Sequence, residues 1–160
     1  MSRLLSVSHT TRAVRARTKT ETRRLGWWKD RNGRQLVKPG DTLTLCEKVM
    51  GRRHRCPGWP EGEADCPHCD GSGWITDPIL RICDVRVIEV RRERLWDITD
   101  EGVRAEGLRH DDADFEEWIY GSDNPDEIGW PTTTAWVNWF CEAMGCRPDT
   151  EITVIRWEYL

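Results

Sequence analysis

The sequence predicts one α+β domain, a small barrel or sheet whose strands are joined by helical connections. Three observations carry that reading. Apolar stretches at residues 4–7 and 152–160 put strands at both ends of the chain, with Ile152, Val154 and Trp157 apolar in the second. Residues 79–92 form a β-branched run in which Val85, Val87 and, less regularly, Val90 face inward, which makes it the strongest strand. Residues 133–144 set Trp136, Trp139, Phe140 and Ala143 at helical spacing, and Gly145 supplies the cap. With 160 residues the chain is long enough to bury one core without staples.

The other elements follow in chain order. Ser8 or Thr10 caps a helix over residues 11–17. The cationic run Arg17-Thr18-Lys19-Thr20-Glu21-Thr22-Arg23-Arg24 comes next, on a loop or the start of an extended segment. Turn signals at Asp30-Arg31-Asn32-Gly33 and Lys38-Pro39-Gly40-Asp41 lead into an alternating strand at 42–49. Residues 51–77 then break the pattern with Gly, Pro, Cys and His and almost no aliphatics, an insertion held by something other than a core. Acidic residues from Asp97 to Glu101 fill the first turn of a helix that Gly107 ends. A short helix is expected over 112–120 and a loop over 121–131. The ten tryptophans, against two Phe and two Tyr, mostly supply core area.

Charge is distributed unevenly. Residues 1–55 hold 15 of the 24 Lys and Arg but only 4 of the 28 Asp and Glu, so the net −4 conceals +11 against −15 in the remainder. Such a split draws anionic ligands, nucleotides or nucleic acid above all, unless the halves neutralise one another in the fold. No apolar run approaches the roughly 18 residues of a membrane span, and the start lacks a signal-peptide stretch. Seven cysteines, an odd number with a Cys-x-x-Cys spacing, read as reduced thiols. The expectation is a soluble, intracellular protein without a membrane partner. Cys83, Cys141 and Cys146 sit in apolar segments and are read as core thiols.

Residue type alone leaves Lys19 and Thr22 in a solvated basic loop and Glu106 near a helix end. Their order in the chain says more. A strand, a helix, Arg-x-Lys-x-x-Thr-x-Arg, Lys-Pro-Gly-Asp before a strand, a long aliphatic strand, the helix Thr99 to Gly107 and a terminal strand together resemble the ASCH family, a set of mostly antiparallel barrels similar to the PUA fold. The resemblance covers nearly all of the chain outside 51–77 and is nearest to ASCH proteins of actinobacterial phages, which would place the protein in the host cytoplasm. The family's Gly-x-Lys-x-x-Glu-x-Arg becomes Arg17, Lys19, Thr22 and Arg24, so two of four positions depart from it. Small bacterial ASCH enzymes that deacetylate N4-acetylcytidine are similar in carrying Thr at the position of Thr22.

That resemblance implies a catalytic trio of Lys19, Thr22 and Glu106 for amide hydrolysis. Thr22 needs a base to take its proton, and Lys19 can be that base only if burial or the neighbouring Arg23 and Arg24 lower its pKa. Glu106 would orient the lysine or activate water, and Arg24 would bind phosphate or an oxyanion. The alternative is a reader of RNA or modified DNA bases without chemistry. In it Arg17, Arg23 and Arg24 hold phosphates and Trp27 or Trp28 stacks on a base. A ribonuclease is the third reading, for which the cationic run offers no histidine.

The insertion carries the sharpest metal signal. Cys66-x-x-Cys69-x-Gly71-x-Gly73 lets the backbone turn tightly behind two thiolates, similar locally to the knuckles of chaperone-type zinc modules. His54 and Cys56 complete a tetrahedral set with Cys66 and Cys69, and Cys46 is the substitute for His54. Four protein ligands leave no open position, so the expected Zn2+ is structural.

Overall fold

The computed structural model describes residues 2–47, 53–56, 69, 72–76 and 78–160, with the His54 side chain excepted. Alternation along the last strand, β7 (Glu151–Tyr159), shows how the domain is layered. Ile152 and Val154 pack into one core while Ile155 and Trp157 pack into another, so this strand is covered on both faces. The sheet has the order β1 (Arg3–Ser6), β3 (Thr42–Cys46), β6 (Arg81–Arg94), β7 and β2 (Glu21–Arg24). The β1–β3 pair is parallel and the other three pairs are antiparallel. The sheet curls into half a barrel. A register shift between Val87 and Glu89 is the physical reason that Val90 keeps the apolar face out of strict alternation.

One face buries Leu5, Leu45, Val85, Val87 and Trp157 together with Val14 of the short helix α1 (Thr11–Arg15). The other lies under α2 (Asp100–Glu106) and α3 (Thr133–Met144), with Leu95, Val103, Trp136 and Phe140 at the contact. Both of these helices start as their sequences demand. Thr99 accepts a hydrogen bond from Gly102 N at 3.1 Å and Thr132 from Ala135 N at 3.2 Å. Both end on a left-handed glycine, Gly107 and Gly145. Ala143, expected on the apolar face of α3, is exposed.

Helix α1 stops at Arg15 rather than 17. Its end is a Schellman turn in which Thr18 N donates to Ala13 O at 2.9 Å and Arg17 N to Val14 O at 2.9 Å. Arg17 therefore sits at φ +58°, the one non-glycine with positive φ among the described residues. This is the position at which the ASCH motif carries glycine. Thr10 makes no cap bond to the helix; its hydroxyl donates back to Val7 O instead.

The helix expected over 112–120 does not form. The acidic segment is tied across itself rather than along an axis: Arg109 N donates to Asp112 Oδ2, Ile119 N to Trp130 O and Gly129 N to Ile119 O. The strand expected over 42–49 is described as Thr42–Cys46. In the insertion, β4 (Arg53–Arg55) and β5 (Trp74–Thr76) pair with one another in a two-stranded sheet among the described residues, apart from the main sheet.

Gly107 fixes where α2 ends. A Cβ there would lie 2.6 Å from the Ala13 Cβ and 3.2 Å from that of Lys19, at a φ of +82°. Gly107→Ala is expected to cost about 1–3 kcal/mol, whereas Gly145→Ala, whose added methyl meets open space, costs about 1 kcal/mol or less. Thermal unfolding of the two variants checks this, and equal losses would contradict it.

Candidate functional site

Strands β1 and β2 end the sheet order, and a cleft of about 400 Å3, counting the solvent at its mouth, opens between them. The gap is bridged by a side chain instead of a ladder. Arg24, at the end of β2, donates through Nη2 to the carbonyl of Ser6 in β1. Lys19, Thr22 and Glu106 all line this cleft, as do Arg23 and Arg24.

Lys19 is pinned at every level. Its backbone N donates to Ala13 O at 3.3 Å, and its carbonyl accepts from Tyr159 Oη at 2.6 Å. The adjacent Thr20 N donates to Ala105 O, and Trp157 N donates to Thr20 O, so the loop is laced to α2 on one side and β7 on the other. The side chain is 2% exposed, and its Nζ donates to Glu106 Oε2 at 2.7 Å and to the Glu106 carbonyl at 2.6 Å. Two residues 87 positions apart are thereby brought into direct contact. Burial lowers the Lys19 pKa; Glu106 opposes this, while Arg24 and Arg23 push the same way as burial.

Arg23 and Arg24, adjacent in sequence, play different parts because a strand sends neighbours to opposite faces. Arg23 is held among carboxylates, with Nη2 2.8 Å from Glu21 and 2.9 Å from Glu93 and Nη1 3.4 Å from Glu106. Its guanidinium also lies 5.8 Å from the Trp136 ring centre. Arg91 closes the network on Glu21, Glu89 and Glu93 at 3.2–3.3 Å. Arg24 has no ion pair among the described residues, and its buried Nε has no hydrogen-bond partner. Burial lowers its pKa and Glu106 alone offsets this, yet a guanidinium keeps its charge at physiological pH. The result is a desolvated cation facing the cleft.

Thr22 is buried on β2 opposite Ile155, and no hydrogen bond joins its hydroxyl to Lys19 or Glu106. The far wall comes from α3, with Trp136, Trp139, Phe140 and Met144. The spacing of these residues marked a core-facing helix and gave no sign of a cleft wall. His9, exposed and edge-on to Trp139 at 5.6 Å, also lines the cleft, and no sequence signal pointed to it.

The remaining candidates lie elsewhere. Arg17 is exposed, 5.6 Å from the Tyr159 ring centre. Trp27 packs on the core face that holds Trp157, and Arg92 lies 5.4 Å over Trp28; neither lines the cleft. In the insertion Cys56 and Cys69 are buried in one cluster with Ile75, and Cys56 N donates to Gly73 O at 3.0 Å. Cys66 and the His54 side chain fall outside the described residues. Among the described residues no group of three or more His, Cys, Asp or Glu is arranged around a metal position, and no helix is long and apolar enough to cross a membrane.

No protein-family model and no curated protein matches the chain. Two solved structures resemble it. One is a protein of Enterococcus faecalis V583 assigned to the DUF984 family, 14% identical with a TM-score of 0.50 over 93% of this chain. The chain spans 65% of that protein's length. The other is an ASCH domain from Lactobacillus crispatus JV V101, 14% identical with a TM-score of 0.46, over 94% of this chain and 69% of that one. At this identity the likeness to the Enterococcus protein is one of fold.

The buried charges should behave as a unit. Lys19→Met and Glu106→Gln are each expected to destabilise by about 3–5 kcal/mol, because each strands its partner, while the double variant loses less than the sum. Denaturant unfolding measures this, and additive losses would contradict the coupling.

Proposed function

We propose that the cleft binds a nucleobase, presented by a nucleoside or by a nucleic acid, and removes the acyl group of an N4-acylcytidine-type base. The observation that carries this reading is the Lys19–Glu106 contact inside a cleft that Thr22 also lines. Trp139, partly exposed at the cleft and backed by the buried Trp136 and Phe140, supplies a stacking surface. The Arg24 guanidinium, which has no ion pair among the described residues, supplies the positive charge that an acyl oxyanion or a phosphate calls for. Water-sized guests have about 50 Å3 to move in, room for a few waters. A base therefore enters only as side chains that line the cleft move aside.

The chemistry balances with water as the second reactant. The neutral Lys19 amine takes the Thr22 hydroxyl proton as Oγ bonds to the acyl carbon. The developing oxyanion turns to Arg24. The C–N4 bond breaks, and the Lys19 ammonium returns the proton to N4, releasing cytidine and leaving an ester on Thr22. Water gives a proton to Lys19 as it attacks the ester; the acyl C–Oγ bond breaks, and the Lys19 ammonium returns that proton to Thr22 Oγ, releasing a carboxylic acid and restoring the neutral amine. Glu106 keeps the amine in place through both steps.

The proton inventory sets the pH dependence. The active form is the neutral amine, so turnover rises with pH through a Lys19 pKa that lies below the ordinary 10.5. Incubation with N4-acetylcytidine should release cytidine with that profile, and Lys19→Ala should lose it by at least about 100-fold. No product above the Lys19→Ala background removes the enzymatic reading.

One observation favours a reader without chemistry: Thr22 makes no hydrogen bond to the proposed base. That reading predicts binding of RNA or modified DNA whose affinity falls as salt rises and falls further in Arg24→Ala, with no product formed.

For the insertion, the shared burial of Cys56 and Cys69 supports a structural Zn2+ held by His54, Cys56, Cys66 and Cys69. Native mass spectrometry should find one zinc per chain, lost in Cys69→Ser. Metal-free protein prepared without chelator refutes the site.

A further inference from the structure

The stretch after α2 that was expected to be helical is instead an ordered display of aromatic and acidic side chains. Between positions 111 and 127 there are eight carboxylates and no Lys or Arg. Arg12 neutralises Asp111 and Asp112 at 2.7 and 2.9 Å, and Glu127 lies 3.9 Å from Arg104. Asp114, Glu116, Glu117, Asp123 and Asp126 are exposed and make no ion pair among the described residues. Among them stand Tyr120, 77% exposed, and Trp118, 40% exposed, with their rings 6.5 Å apart.

This surface is built. Gly129 N donates to Ile119 O at 2.6 Å, Ile119 N to Trp130 O at 2.8 Å and His110 N to Gly129 O at 2.8 Å. A Cβ on Gly129 would fall 2.6 Å from His110 Nδ1, so glycine is what allows His110 to stack on Trp118 at 6.1 Å. Trp130 donates from Nε1 to Asp126 O, Ser122 donates to Glu127, and Phe115 anchors the segment against Trp139 of α3. Exposed aromatic faces held in place without an apolar partner mark a contact surface.

Charge selects the occupant. Five uncompensated carboxylates repel phosphate, so neither nucleic acid nor an anionic membrane fits. We propose that residues 109–130 are a docking surface for a cationic polypeptide segment, rich in arginine, of a partner protein. Guanidinium groups stack on the Trp118 and Tyr120 faces while donating paired hydrogen bonds to the flanking carboxylates. The surface is separate from the cleft, so the inference stands whether or not the cleft is catalytic.

The probe is a synthetic arginine-rich peptide, titrated into the whole protein by calorimetry, with its lysine counterpart alongside. The arginine peptide should bind more tightly, and both should weaken as salt rises. The decisive variant is Trp118→Ala/Tyr120→Ala, which keeps every carboxylate; circular dichroism confirms that it folds. Its affinity for the arginine peptide should fall about tenfold or more. Unchanged affinity would mean diffuse attraction to an acidic surface and would overturn the proposal. So would sedimentation showing low-salt self-association that the same variant abolishes, because the occupant would then be a second copy of this chain.

Discussion

A buried lysine cannot be left without a partner, and in this protein that constraint organises the whole site. Lys19 reaches its partner only if the end of α2 is brought against the loop that follows α1. Three local decisions make that approach feasible: the Schellman turn that reverses the chain after Arg15, the glycine at 107 that clears Ala13, and the Tyr159 hydroxyl that holds the Lys19 carbonyl. Removing water from an ammonium and a carboxylate is costly, and their attraction repays it only with good geometry and further hydrogen bonds. The second bond from Nζ to the Glu106 carbonyl and the approach of Arg23 to the far carboxylate oxygen supply both.

The same arrangement leaves Arg24 at the cleft without an ion pair among the described residues. Arg23 is surrounded by Glu21, Glu93 and Glu106, but Arg24, one step along the strand, points toward the gap between the sheet's two edges and donates to the Ser6 carbonyl. An incompletely closed sheet thus gains a pocket with a cationic side, an aromatic side and a hydroxyl between them. The charge asymmetry of the sequence is resolved in space the same way. Part of the basic first third is spent inside on carboxylates, and the acidic excess is carried outward on the segment after α2.

Much of this was legible in the sequence. Period-two patterning gave β6, which buries Val85 and Val87, and apolar content gave β7, which is buried on both faces; Thr99 with Gly107 and Gly145 with its aromatic stripe gave α2 and α3. The pairing of Lys19 with Glu106 was implied by the resemblance to the ASCH family and not by composition. What was hidden depended on three-dimensional neighbours. Strand alternation, invisible in a run of basic residues, separated Arg23 from Arg24. The α3 stripe looked like ordinary core spacing, and only the gap between β1 and β2 turned part of it into a cleft wall. Trp27 and Trp28 follow the cationic run in sequence yet leave the site, since the chain turns away beyond β2. The segment 112–120 has helical composition, but Ile119 N finds Trp130 O and Ile119 O finds Gly129 N, partners from the neighbouring stretch that outcompete a helix.

The central claim is that the cleft between β1 and β2 receives an acylated base with its carbonyl at Lys19 and residue 22. A crystal structure of Thr22→Ala soaked with N4-acetylcytidine tests it most directly. The account predicts the acetyl carbonyl within hydrogen-bond reach of Arg24, the base against Trp139 and the Lys19–Glu106 contact retained. A nucleoside bound elsewhere on the surface, with the cleft still filled by its own side chains, would contradict it.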